Sequence, residues 1–396
     1  MSRPLDTVPR YDLFIASAVV TVAILPSFMT GALAVQMRAE LEATPAIIGL
    51  AIGGFFAASA LGSAPMGRLV ERIGAGWGMR LCSAGAALVL GAVALLAHST
   101  LRLMAILVVG GAINAFANPA SNLFLARTMP EGRRGLVFGI KQSAIPVATF
   151  LAGLAVPGLA LTVGWRWAFV LAAAAGLVLA VAIPRKERPG SDFRSRSVQP
   201  PAEPAMSTLV LVALAGAAAL AIFGGQSLGA FLVSFAVEVG ISEAAAGWLL
   251  AMSSVAGIAS RIMSGWIIDS HGRGGPRPRW GLRGVAVLLV LGALGYAMLA
   301  TEVSAMAWVA APLAFAGGWG WSGLLTYSVV EANPATPAAS TGVAQTGIFV
   351  GASLGPPTFG AIAEAVSYRA AWLAVAAGAL AALGVLMAVE ANLHRE

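Results

Sequence analysis

Twelve long apolar runs joined by short polar connectors leave this chain few ways to fold. The runs cover about residues 12–36, 46–69, 78–98, 101–127, 135–160, 166–184, 207–237, 243–268, 281–301, 303–330, 337–363 and 368–390. Lipid offers no partner to a bare backbone N–H or C=O, so a spanning segment must bond its own groups, and a helix of roughly 20 apolar residues suffices to cross. Several runs exceed that length, which predicts tilted helices. Only 10% of the residues are charged and 59% are hydrophobic, whereas soluble domains carry about 25% charged residues. The expected fold is therefore an all-α integral membrane protein of twelve transmembrane helices, with the lipid bilayer as its surroundings. The first run is too long for the core of a cleaved signal peptide and reads as a retained span.

The charges sort by connector. The formal net charge is +7, which in a soluble protein would suggest a nucleic-acid partner. Here the basic residues sit between apolar runs, so none is expected. With the N-terminus in the cytoplasm, 18 of the 24 Lys and Arg fall in cytoplasmic segments, while the opposite loops hold only Arg38, Arg102, Arg166 and Arg369. That asymmetry predicts a multi-pass protein of the bacterial inner membrane with both termini cytoplasmic. Lys141 and Arg261 are left inside spans. Pro184–Ala205, rich in Pro, Ser and Arg, cannot build a core. It divides the chain into six-span halves, 1–184 and 207–396, with a cytoplasmic linker at 185–206. The single cysteine, Cys82, excludes an internal disulfide and a multi-cysteine metal site. No cofactor or metal is expected.

The halves repeat one another. Gly139–Gly153 (GIKQSAIPVATFLAG) returns as Gly342–Pro356 (GVAQTGIFVGASLGP) at an offset of 203: Gly139 meets Gly342, Gln142 meets Gln345, Ser143 meets Thr346, and Lys141 meets Ala344. Gly67–Gly74 (GRLVERIG) returns as Gly265–Gly272 (GWIIDSHG) at 198. Capping residues, Thr44 before Pro45 and Ser242 before Glu243, open the corresponding helices. Half-protein repeats of this kind point to a two-fold transporter architecture with its site between the halves.

With six plus six spans, a basic central loop and a G-x-x-x-[D/E]-x-x-G loop after the second and eighth spans, the chain resembles the major facilitator superfamily along essentially its whole length. That loop reads roughly G-x-L-A-D-R-x-G-R-[KR] in the family. Gly67, Leu69, Arg72 and Gly74 match it here, with Arg68 at the second position and Glu71 for the aspartate; the second copy keeps Gly265, Asp269, Gly272 and Arg273. The resemblance implies two pseudo-symmetric six-helix bundles, alternating access, and a gating role for Gly67, Arg68, Glu71, Arg72, Gly265, Asp269 and Arg273. The glycines allow close helix approach, and the carboxylates can accept from helix N-termini or arginines of the other half. It also implies that the fifth and eighth spans adjoin across the central cleft.

Arg261 lies eight residues before Asp269 and Lys141 seven past Arg134, so roughly 12 Å and 10 Å from the span ends at 1.5 Å per residue. A cation at such depth costs about 2.5–3.5 kcal/mol on insertion scales. It either snorkels to the surface or faces a partner or a wet cavity. No Asp or Glu lies mid-span to neutralise either one, so a small anionic substrate is the expected counter-charge, and the GIASRIMSG setting of Arg261 resembles the eighth-span arginine of monocarboxylate and oxalate-type carriers. Asn114, Asn118 and Asn122, four apart, are expected on one face of the fourth span. Gln142, Gln226 and Gln345 are further candidate hydrogen-bonding groups, and Tyr327, Trp319 and Trp321 candidate walls. The expectation is a secondary transporter of a small organic anion, by proton symport or anion exchange. A proton-coupled efflux carrier for hydrophobic compounds stays open. An enzyme is not expected, because no mid-span His, Asp, Glu or Cys cluster offers catalytic groups.

Overall fold

The computed structural model describes residues 10–126, 134–184, 206–271, 278–333 and 336–392. The linker expected at 185–206 lies outside these residues except for Met206, as does the gating candidate Arg273.

Every expected span is helical, and no strand occurs among the described residues. The first comprises α1 (Arg10–Ala32) and α2 (Ala34–Leu41). The second is α3 (Pro45–Ile73), and the third α4 (Ala75–Leu96). The fourth divides into α5 (Thr100–Asn114) and α6 (Ala117–Ala126), and the fifth into α7 (Arg134–Gln142), α8 (Ala144–Ala155) and a π turn over Val156–Ala160. Next come α9 (Trp165–Ala182), α10 (Thr208–Glu238), α11 (Glu243–His271), α12 (Pro278–Leu299), α13 (Ser304–Ala332), α14 (Pro337–Ala365) and α15 (Tyr368–Asn392). Ten of the spans are long and apolar enough to cross a membrane. The other two, α13 and α14, are 29 residues each and are interrupted by polar residues, glycine and proline.

Sequence explains the starts and the breaks. Thr44 and Ser242 accept from Ile47 N and Ala245 N, so both expected caps form. The fourth span breaks at Ala115–Phe116 because Pro119, four residues on, has no N–H for the Ala115 carbonyl. The fifth breaks at Ser143 because Pro146 likewise leaves the Gln142 carbonyl without its helical donor.

Small residues set the packing between halves. A Cβ on Gly49 would lie 2.2 Å from the Pro356 carbonyl oxygen, one on Gly360 2.4 Å from that of Pro45, and one on Gly31 2.7 Å from Ala230 Cα. These contacts close the end of the bundle opposite the termini, the far end, between α3 and α14 and between α1 and α10. Toward the end that carries both termini, α3 exposes Ala64, Pro65, Arg68 and Glu71, and α14 exposes Gly342, Gln345 and Thr346. Outside, residues such as Leu61, Leu101 and Val181 are more than 70% exposed, a continuous apolar surface that only lipid satisfies.

Candidate functional site

The fifth and eighth spans meet on a glycine seam. A Cβ on Gly265 would sit 2.5 Å from the Gly135 carbonyl oxygen, and one on Gly139 2.9 Å from that of Arg261. Backbone therefore touches backbone, and α7 of the first half lies flat on α11 of the second. Farther along, Gly153 and Gly247 repeat the contact: a Cβ on Gly153 would be 2.8 Å from the Gly247 carbonyl oxygen. Both candidate cations project from this seam.

Arg261 is 4% exposed. Its Nη1 donates to the Gln142 carbonyl at 2.7 Å, across the two halves. This is the carbonyl that Pro146 leaves free, so a proline in one half prepares an acceptor for an arginine in the other. Its Nε donates to the Trp319 carbonyl at 2.9 Å, and the guanidinium lies 5.3 Å from the centre of the Trp319 ring, within cation–π range. Ser260 and Ser264 flank it with bonds to the Ala316 and Gly320 carbonyls at 2.9 and 3.3 Å. The glycines of α13 permit this: a Cβ on Gly320 would stand 1.9 Å from Ser260 Oγ. A guanidinium has five N–H donors, and the bonds described leave Nη2 unused.

Lys141 is 1% exposed. Its Nζ donates to Asn118 Oδ1 at 2.6 Å and Asn122 Oδ1 at 2.9 Å, while both asparagines are themselves exposed. The ammonium is thus anchored on α6 of its own half rather than stretched to a membrane surface. Among the described residues, no carboxylate pairs with Lys141 or Arg261. Arg261 bonds the carbonyl of the residue next to Lys141, so the two cations are neighbours on the seam.

The remaining sequence candidates divide. Asn114 does not share the face of Asn118: the break at Ala115–Phe116 turns it to Ser59 on α3, with Nδ2 to Oγ at 2.8 Å. Gln142 contributes its backbone to Arg261, and its side chain is partly buried. Gln226 is buried with Oε1 lacking a partner among the described residues. Gln345 is exposed on α14, and Tyr327 is partly buried on α13. Trp321 bonds the Gly318 carbonyl and lines a small cavity inside the second half together with Ala217, Leu289 and Leu386. Sequence reasoning gave Asn122 no role at the cation and missed the Trp319 carbonyl. The first was open to inference, since Asn122 stands one turn after Asn118; a backbone acceptor leaves no sequence signal.

Above Arg261, toward the far end, Trp319 meets Phe28 edge-on with centroids 5.9 Å apart, and Phe28 meets Phe56 at 6.4 Å. This aromatic layer lies over Arg261 on that side. Toward the terminal end, Asp269 accepts from Gly135 N at 2.9 Å and Leu136 N at 2.7 Å. A carboxylate of the second half thereby caps the N-terminus of α7, where the helix dipole favours negative charge. At the far end Glu364 of α14 accepts from Ala46 N at 3.0 Å, at the start of α3. Glu71, the repeat partner of Asp269, is exposed on the last turn of α3 beside Arg68 and Arg72. Gly67 approaches Pro119: an added Cβ would be 3.9 Å from its ring.

A family model described as the Major Facilitator Superfamily matches residues 15–278 and 214–394. An uncharacterized MFS-type transporter of Mycobacterium tuberculosis is 27% identical over 283 residues, 69% of this chain and 62% of that relative's length. A putative tartrate transporter of Agrobacterium vitis is 25% identical over 309 residues, 71% of this chain and 70% of that protein. Among solved structures, an inward-facing, occupied bacterial homologue of the human lysosomal transporter Spinster aligns with TM-score 0.70, 18% identity and 98% of both chains. The human organic anion transporter MFSD10 aligns with TM-score 0.66 and 16% identity, over 97% of this chain and 100% of that one.

Proposed function

The chain belongs to the major facilitator superfamily, and we propose that within it this protein moves a small organic anion, recognised through a carboxylate, by alternating access. One observation carries the reading: two buried cations, Lys141 and Arg261, stand on the seam between the halves, hydrogen-bonded among the described residues to neutral oxygens alone, with the Trp319 ring as the one further contact described for Arg261. Two uncompensated charges in a low-dielectric interior are unfavourable. A bound anion removes that cost, and the unused Nη2 edge of Arg261 suits a carboxylate oxygen. Asn118, Gln142 and Gln226, with Asn114, Gln345 and Tyr327 at the periphery, supply hydrogen bonds to the rest of the substrate. The names of the putative tartrate transporter and of the human organic anion transporter fall in the same substrate class.

The halves, 1–184 and 207–396, rock about this seam with 185–206 as the linker. Gly67, Arg68, Glu71 and Arg72 on one side and Gly265, Asp269 and Arg273 on the other form the gate at the terminal end. The distribution of Lys and Arg supports a bacterial inner-membrane setting with that end cytoplasmic. Coupling is by proton symport or anion exchange.

Counterflow in proteoliposomes tests the reading. Vesicles loaded with unlabelled lactate, tartrate or benzoate should take up the corresponding labelled anion, and protein-free vesicles should not. Uptake of a hydrophobic cation such as ethidium, with no anion exchanged, would favour efflux of hydrophobic compounds instead.

A further inference from the structure

Lys141 and Arg261 are not equivalent in their surroundings. Arg261 is bonded to backbone carbonyls, which can only accept, and a guanidinium keeps its proton under all ordinary conditions. Lys141 is bonded to two side-chain amides, Asn118 and Asn122. An asparagine amide carries an acceptor at one corner and two donors at the other. A half-turn about its last torsion exchanges them. The Asn118–Asn122 pair therefore suits both forms of the lysine: two oxygens for an ammonium, or one oxygen and one NH2 for a neutral amine. Both asparagines are exposed, whereas Lys141 is 1% exposed. They are the exposed polar groups that touch the amine.

Among the described residues, the charged and titratable groups around Lys141 are few. On α11 they are Arg261, and Asp269, which is committed to Gly135 N and Leu136 N. The first turn of α1 carries Arg10, Tyr11 and Asp12, α13 carries Tyr327 and Glu331, and α6 and α8 carry none. The repeat places Ala344 at the matching point of the second half, so the motif occurs once.

We infer that Lys141 is the proton carrier of this transporter, binding and releasing one proton per turnover in step with the anion. This rests on the anion reading above. The chemistry is Lys–NH3+ in equilibrium with Lys–NH2 and a proton delivered to water by way of the asparagine pair, with no bond to the substrate. Interior charge explains the coupling. With Arg261 positive and Lys141 neutral, the empty site holds one positive charge. With Lys141 protonated and a monovalent anion bound, it again holds one. The two forms that must reorient across the membrane therefore carry the same charge, and the form with two cations and no anion is penalised. Linkage is reciprocal: a proton on Lys141 tightens anion binding by the same factor by which the anion tightens proton binding, typically about 5- to 150-fold.

The test uses the full-length protein in proteoliposomes with labelled lactate as probe, and compares wild type, Lys141→Gln and Lys141→Arg. Each is assayed for exchange at equal pH on both sides and for net accumulation driven by an imposed pH gradient. The wild type should do both. The glutamine variant, neutral at every pH, and the arginine variant, charged at every pH, should exchange lactate at a reduced rate and lose gradient-driven accumulation. Wild-type exchange should also slow as pH rises at constant lactate, and exchange by Lys141→Arg should not. Accumulation by either variant at the wild-type level overturns the assignment. So does loss of exchange in both, which would make Lys141 an obligatory substrate or folding contact. Failure of the wild type to exchange any organic anion rejects the parent reading, and this inference with it.

Discussion

Arg261→Ala is expected to abolish transport of the substrate anion while the protein still folds and inserts. Removing one member of a desolvated charge pair costs about 2–5 kcal/mol of binding, roughly 30-fold to several thousandfold in affinity. The folding cost should be much smaller. The substitution gives up bonds to the Gln142 and Trp319 carbonyls and the contact with the Trp319 ring. It also removes the burden of a buried guanidinium without a carboxylate. Arg261→Lys should recover only part of the activity, because a single ammonium cannot bond both carbonyls, stack on the indole and still present a free edge. Counterflow measured beside thermal unfolding in detergent separates the two effects. Normal apparent affinity in Arg261→Ala would remove this residue from the site.

Gly265→Leu is the second large effect. A Cβ there would be 2.5 Å from the Gly135 carbonyl oxygen and 3.0 Å from its carbon. Neither atom belongs to a side chain that can swing away, so α7 and α11 must separate. With them go the bonds from Gly135 N and Leu136 N to Asp269, which cap α7 across the halves. Overpacking of this kind typically costs about 1–3 kcal/mol. In a two-state carrier that penalty falls on whichever state holds α7 and α11 together along this seam, and shifts the balance between states by roughly 5- to 150-fold. The expected result is a folded protein with a slowed cycle. A cysteine introduced at Ile262, beside Gly139 on this seam, should react faster with a soluble thiol reagent than in the parent. Wild-type turnover and labelling would mean that this seam does not govern the cycle.

Much of this arrangement was legible in the sequence. Hydropathy placed the twelve spans, because lipid leaves a helix of about 20 residues as the simplest solution. The repeat at 203 and the acid-free interior singled out Lys141 and Arg261. The breaks inside spans were harder to see. Pro119 and Pro146 act on carbonyls four residues earlier, at Ala115 and Gln142, so the consequence falls away from the residue that causes it. The break after Asn114 undid a face inferred from four-residue spacing, which assumes an uninterrupted helix. The acceptors of Arg261 were invisible for a different reason. Gln142 drew attention for its amide, yet it is its backbone that meets the arginine, and any residue at Trp319 would offer the same carbonyl. Gln345, inferred from the repeat, is exposed on α14, so sequence equivalence did not carry equivalent surroundings.

The central claim is that this site selects negative charge. The most direct measurement is the thermal midpoint of the purified wild type and of Arg261→Ala in the presence of carboxylates, each paired with its own primary amide. A ligand that binds the folded state raises the midpoint by mass action. At least one carboxylate should stabilise the wild type while its amide does not, and the shift should vanish in Arg261→Ala. An amide that stabilises as well as its acid, or a carboxylate shift that survives the loss of Arg261, would contradict the account.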